Sequence, residues 1–105
     1  MILGRVTGQV IATQKDAGLN GYKMLIVQDV RVADMSLAPS YVVAVDSVGA
    51  GMGEVVIVVT GSSARIAAGL GDKPVDSAIV GIVDEVQIEG ERRYLKRQPV
   101  AAGVA

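Results

Sequence analysis

A small, mainly-β barrel of five strands with one short helix is the fold this sequence predicts, and three observations predict it. Valine- and isoleucine-rich runs of strand length recur between clusters of Gly, Asn, Asp and Ser, which is strand-and-turn punctuation. Only residues 61–69 combine a serine, good helix formers and a closing glycine, so the crossover helices that a doubly wound parallel sheet requires are missing. Half of the residues are hydrophobic but only three are aromatic, all tyrosine, so the interior must be aliphatic, as suits a pleated sheet. A chain of 105 residues makes one domain, able to bury about two-thirds of its unfolded surface.

Taken in order, residues 2–13 alternate, with Ile2, Gly4, Val6, Gly8, Val10 and Ala12 on one face and Arg5, Thr7, Gln9 and Thr13 on the other. This predicts a half-buried first strand. Residues 15–21 are polar and end in Asn20-Gly21, a pair that tolerates the positive φ of a tight hairpin. Residues 22–30 form the returning strand, apolar on both faces at Met24, Leu25, Ile26 and Val27. Residues 33–40, with Asp34, Ser36 and Pro39, read as a surface loop. Strands over 41–45 and 55–60 flank a glycine-rich turn, and a helix of at most two turns follows, with Ser62 or Ser63 as its cap and Gly69 as its stop. Residues 71–74 are loop, 77–88 one long strand, and Glu89-Gly90 a turn into a short charged strand. The barrel domain is expected over residues 1–94, with 95–105 a loosely held tail. A five-stranded antiparallel barrel of OB-like form fits this count.

A closed barrel has one interior, yet the second, fourth and fifth strands are apolar on both faces. Each outward Val, Ile or Leu left in water forgoes about 1.5–3 kcal/mol of burial. The sequence therefore predicts an oligomer, with Val55, Val56, Ile57, Val58 and Val59 as the expected subunit interface, over the alternative that the tail, the 33–40 loop and the helix cover those faces within one chain.

Net charge is −1, which gives no electrostatic footprint for nucleic acid or an anionic membrane. The absence of cysteine rules out disulfides and thiolate chemistry, and the absence of histidine rules out a Ser-His-Asp triad. Neither a signal peptide nor an apolar run of membrane-spanning length stands at the N-terminus or elsewhere, which predicts a soluble intracellular protein.

Gly49, Ala50, Gly51, Met52 and Gly53 invite comparison with a dinucleotide fingerprint, but Glu54 occupies the third glycine's place and a strand follows where a helix is required. A tight turn that lets backbones approach closely is the better reading. Gly61-Ser62-Ser63-Ala64-Arg65 has half of a nucleophile elbow, with Arg65 in place of the last glycine. Helix capping by Ser62 or Ser63 is the simpler role, compatible with an anion or partner carbonyl held near Arg65. Asp46 and Asp76 are expected to hold turns or pair with Arg65. No cluster has metal-ligand spacing, and no catalytic residue, cofactor or metal is expected. The alternative an OB-like barrel raises is a binding module for single-stranded nucleic acid or another ligand, for which Arg92, Arg93, Lys96 and Arg97 around Tyr94 are the candidates.

Several motifs in a fixed order resemble one family. They are Leu3-Gly4-Arg5-Val6-Thr7-Gly8 with Thr13-Gln14-Lys15, Lys23-Met24-Leu25-Ile26-Val27, and Val43-Ala44-Val45-Asp46-Ser47-Val48 running on through the glycine turn to Glu54. Gly61-Ser62-Ser63-Ala64-Arg65 and Pro74-Val75-Asp76-Ser77-Ala78-Ile79-Val80-Gly81-Ile82-Val83-Asp84 complete the set. The chain resembles the EutN/CcmL family, the pentameric vertex proteins of bacterial microcompartment shells, carboxysomes and metabolosomes. The resemblance implies a non-enzymatic barrel that closes into a homopentamer in the bacterial cytoplasm and caps the fivefold corners of a shell whose facets are hexameric proteins. It implies no nucleic-acid or membrane partner. It places Gly49, Ala50, Gly51, Met52 and Gly53 near the fivefold axis, and Ser62, Ser63 and Arg65 at the rim that meets neighbouring hexamers.

Overall fold

The structure, a computed structural model, describes residues 1–67, 69 and 75–96. Strands β1 (Ile2–Val10), β2 (Lys23–Arg31), β3 (Ser36–Asp46), β4 (Val55–Thr60) and β5 (Ser77–Ile82) close in the order β1-β2-β3-β5-β4. Helix α1 (Ser62–Ala67) lies between β4 and β5 in the chain. Strands β6 (Glu85–Ile88) and β7 (Glu91–Leu95) form a separate two-stranded sheet.

The barrel is not wholly antiparallel, as the sequence suggested. It closes through a parallel pairing of β3 with β5, Val45 opposite Ala78 and Asp46 opposite Ile79, reached through β4 and α1. The interior is aliphatic: Val6, Leu25, Val27, Ala44, Ala50, Val56, Val58 and Ile79 form one buried cluster.

Strand β1 ends at Val10, short of the expected Thr13, and carries a bulge between Val6 and Gly8. Because directly opposed residues share a face, this extra residue moves Gly8 and Val10 to the outer side, opposite Ile26 and Met24. The inward set expected from simple alternation therefore stops at Val6. The connection to β2 is longer than a two-residue hairpin. Asp16 accepts the Gly18 amide at 2.7 Å to start a single 3-10 turn over Ala17–Leu19, and Gly21 supplies the positive φ of 87°.

The segment expected as a loop over 33–40 is mostly strand. Strand β3 begins at Ser36, opposite Arg31, and Pro39 is accommodated where the register shifts between Gln28 and Val30. A bulge needs no amide from the proline, and Gln28 Nε2 donates to the Ala38 carbonyl at 2.9 Å there. The long strand expected over 77–88 is two. It breaks at residues 83–84, where the Val83 amide donates to the Val55 carbonyl and Lys96 N to the Asp84 carbonyl. Beyond the break, β6 leaves the barrel and pairs only with β7, across a turn with Glu89 at φ 51° and Gly90 at φ 81°. The expected loop at 71–74 and the tail beyond Lys96 lie outside the described residues.

Part of the outer face of β4 and β5 is covered within the chain. Val59, Ala64 of α1 and Ala78 form a buried cluster with Val80 against it. Val55, Val56, Val58 and Val59 are all buried in the single chain, and only Ile57 of the expected interface keeps partial exposure. The apolar surplus lies elsewhere, with Tyr41 and Val43 on β3 being 62% and 48% exposed.

Candidate assembly surfaces

The turn between β3 and β4 is built on two carboxylates. Asp46, buried at the end of β3, accepts through Oδ1 from the amides of Val48, Gly49 and Ala50 at 3.1, 3.1 and 3.2 Å. Its Oδ2 lies 3.9 Å from Lys23 Nζ, which also reaches the Ala50 carbonyl at 3.4 Å. Ser47 Oγ donates to the Ile79 carbonyl at 2.7 Å, tying the turn to β5. Further on, the Gly51 amide donates to Glu54 Oε1 at 2.6 Å, and the Gly53 amide to the Val6 carbonyl at 2.8 Å. Gly49 and Gly53 sit at φ 80° and 84°, a region that side-chain-bearing residues avoid.

Of the five turn residues singled out in the sequence, Ala50 is fully buried and belongs to the barrel core, so its side chain cannot line an opening. Met52 is the projecting one, 61% exposed, beside a concavity shared with Arg5, Thr7 and Gly53. Asp46 holds the turn, as one of its two expected roles required, and its basic neighbour is Lys23 instead of Arg65.

Ser62 is the first residue of α1, is exposed, and follows Gly61 at φ 71°. Gly61 holds the entry to the helix: its amide donates to the Asp76 carbonyl at 2.8 Å and its carbonyl accepts from Ala64 N at 3.1 Å. Arg65 turns back to donate through Nη1 to the Val75 carbonyl at 3.2 Å, which pins the helix to the approach of β5. The Ser63 side chain lies outside what the structure describes. Ile66, 78% exposed, gives this helix an apolar outward tip.

Among the described residues of the barrel strands and their edges, two apolar surfaces lie open. One is the outer face of β2 and β3, where Tyr41 lies opposite Gln28 and Val43 opposite Ile26. The other is a hollow of about 380 Å³ lined by Met1, Ile2, Leu3, Asp29, Val30, Val32 and Ile57.

The basic cluster near the C-terminus is occupied internally. Arg92 Nε lies 3.2 Å from Glu85, Arg93 Nη2 3.3 Å from Glu91, and Lys96 Nζ 2.6 Å from Glu54. Arg97 lies outside the described residues. Among the described residues no group of three His, Cys, Asp or Glu side chains could hold a metal ion. No helix among them is long and apolar enough to cross a membrane.

Fold and surface together define a class: a small closed barrel that keeps its own core dry and presents apolar strand surface outward. The chain belongs to the EutN/CcmL family, whose profile, described as ethanolamine utilisation protein EutN/carboxysome, matches residues 1–84. It is 41% identical to the carboxysome shell vertex protein CcmL of Gloeobacter violaceus, over 92% of this chain and 96% of the relative. It is 50% identical to the microcompartment shell vertex protein PduN of Salmonella typhimurium, over 80% of this chain and 96% of the relative. The solved Gloeobacter violaceus CcmL superposes with a TM-score of 0.88 at 39% identity, covering 93% of this chain and all of that one. The pentameric microcompartment shell protein GrpN of Rhodospirillum rubrum superposes with a TM-score of 0.76 at 44% identity, covering 84% of this chain and 99% of that one.

Proposed function

We propose that this protein is a structural shell protein of a bacterial microcompartment, whose pentamers cap the fivefold vertices of a polyhedral shell in the cytoplasm. The observation that carries this reading is the match, over most of both chains, to vertex proteins and to a pentameric shell protein. Its role is to fill a corner, without a reaction of its own, and its partners are copies of itself and the hexameric proteins of the facets.

A closed ring joins subunits head to tail and so needs two dissimilar surfaces on each. The open face around Tyr41 and Val43 and the hollow around Val32 and Ile57 supply two such surfaces. Of the expected β4 interface, Ile57 remains open to such a contact, while Val55, Val56, Val58 and Val59 are buried by the chain itself. The turn carrying Met52 is assigned to the fivefold axis, and Ser62, Ser63 and Arg65 with Ile66 beside them to the rim facing hexamers. Residues 1–94 are assigned to a single domain, in which the β6–β7 hairpin follows the barrel strands.

A single-stranded nucleic-acid module would use free cations around an aromatic platform. Here Arg92, Arg93 and Lys96 already have carboxylate partners.

Native mass spectrometry of the purified chain should give five copies per particle, and co-expression with hexameric facet proteins should give closed shells by electron microscopy. A monomer that binds oligonucleotide, or shells that close equally well without this chain, would overturn the reading.

A further inference from the structure

Glu54 makes two contacts at once. Its Oε1 accepts the Gly51 amide at 2.6 Å, and its Oε2 meets Lys96 Nζ at 2.6 Å. Lys96 is where β7 leaves its hairpin, held there by its own amide to the Asp84 carbonyl at 2.9 Å. Among the described residues the hairpin shares no strand pairing with the barrel, so beyond its covalent join at residues 83–84 this ion pair is a second tie, from the hairpin to the β3–β4 turn. Within the turn, Asp46 secures the amides of residues 48–50, while the amide of Gly51 depends on Glu54.

We propose that Lys96, Glu54 and the Gly51 amide form a relay through which the C-terminal segment sets the order of the glycine turn. A change in how the β6–β7 hairpin seats Lys96 then tightens or loosens residues 51–53. The relay is a property of the single chain and stands whether or not the chain forms vertices. Where the turn does face a ring axis, the relay ties the lining of that axis to the β6–β7 hairpin. Lys96 and Glu54 are positioning residues in this scheme, acting on Met52 through the backbone on either side of it.

Hydrogen exchange followed by NMR on the full chain tests this. Lys96→Ala should speed exchange at the amides of residues 51–53 about two- to fivefold, the range an exposed ion pair of this kind supports. Exchange at Val27 and Val58 in the barrel wall should be unchanged, and Lys96→Arg should restore the slow rate. In a Glu54→Gln background, Lys96→Ala should add nothing further. Unchanged exchange at residues 51–53 in Lys96→Ala, or acceleration spread evenly over the barrel, would overturn the relay. So would an undiminished effect in the Glu54→Gln background. Should Glu54→Gln not fold, the Ala and Arg variants at Lys96 decide by themselves, since Lys96 is on the surface.

Discussion

Asp46 and Glu54 divide the amides of one turn between them, and their surroundings make them respond differently to change. Asp46 is buried with three amides on one oxygen, so Asp46→Ala would strand those donors and cost about 1–3 kcal/mol, measurable as a lower urea midpoint. Glu54 is held below its ordinary value of 4.5, first by the Lys96 contact and then by the Gly51 amide. Lys96 is raised above 10.5, chiefly by the same Glu54. A depressed acid stabilises the fold above its unfolded value, and that contribution is lost as pH falls through the lower folded value. A raised base stabilises below its unfolded value, and loses the contribution as pH rises through the higher folded one. The melting-temperature gap between the native chain and Lys96→Ala should therefore be widest between pH 4.5 and 10.5 and close at both ends. A gap that stays constant with pH would mean that the pair does not contribute. Gly4 is constrained by space alone: a Cβ there would press on Val27 Cγ1 and stand 2.9 Å from the Gln28 carbonyl oxygen. Gly4→Ala should cost about 1–3 kcal/mol, because the strand must shift to admit it.

Strands and helix show which parts of the pattern can be read without coordinates. Val55–Thr60 was legible to the residue, because an unbroken β-branched run between Glu54 and Gly61 has no helical or half-wet reading. The bulge at Thr7 was not, since alternation in β1 continues through it and only the pairing with β2 reveals that Gly8 and Val10 change sides. Pro39 argued for a loop by its lack of an amide, and the register shift that removes the need for one depends on β2. The helix as a cover for β4 was only the lesser alternative, because α1 is short, but Ala64 is small enough to seat directly on Val59 and Ala78. Arg65→Ala should loosen this lid by removing the bond to the Val75 carbonyl, at about 0.5–1.5 kcal/mol, with the particle still pentameric in native mass spectra. On the rim assignment it should also reduce the yield of closed shells.

For the whole molecule, the expectation of an oligomer stood on an excess of apolar surface. That excess is found on β3, which was not among the strands expected, as well as on β2 and at Ile57 of β4, which were. Two substitutions separate folding from assembly. Val58→Asp puts a carboxylate into a fully buried site and should leave no folded barrel by circular dichroism. Val43→Asp, on the open face of β3, should leave the barrel melting intact while the ring falls to smaller species on size exclusion. If Val43→Asp stayed pentameric, the surface assigned to subunit contact would be misplaced. The relay partner Lys96 left no trace in the sequence, because its lysine lies 42 positions from Glu54 and only the return of the hairpin joins them.

The parallel seam between β3 and β5 also bears on how the protein is made. Asp46 cannot meet Ile79 until translation has passed that point and the ribosome tunnel has let it go, so the nascent chain must wait with an unsealed cylinder. During that interval the residues that will form the core, Leu25, Val27 and Val58 among them, lack their full cover, and neighbouring nascent copies are exposed to capture by each other.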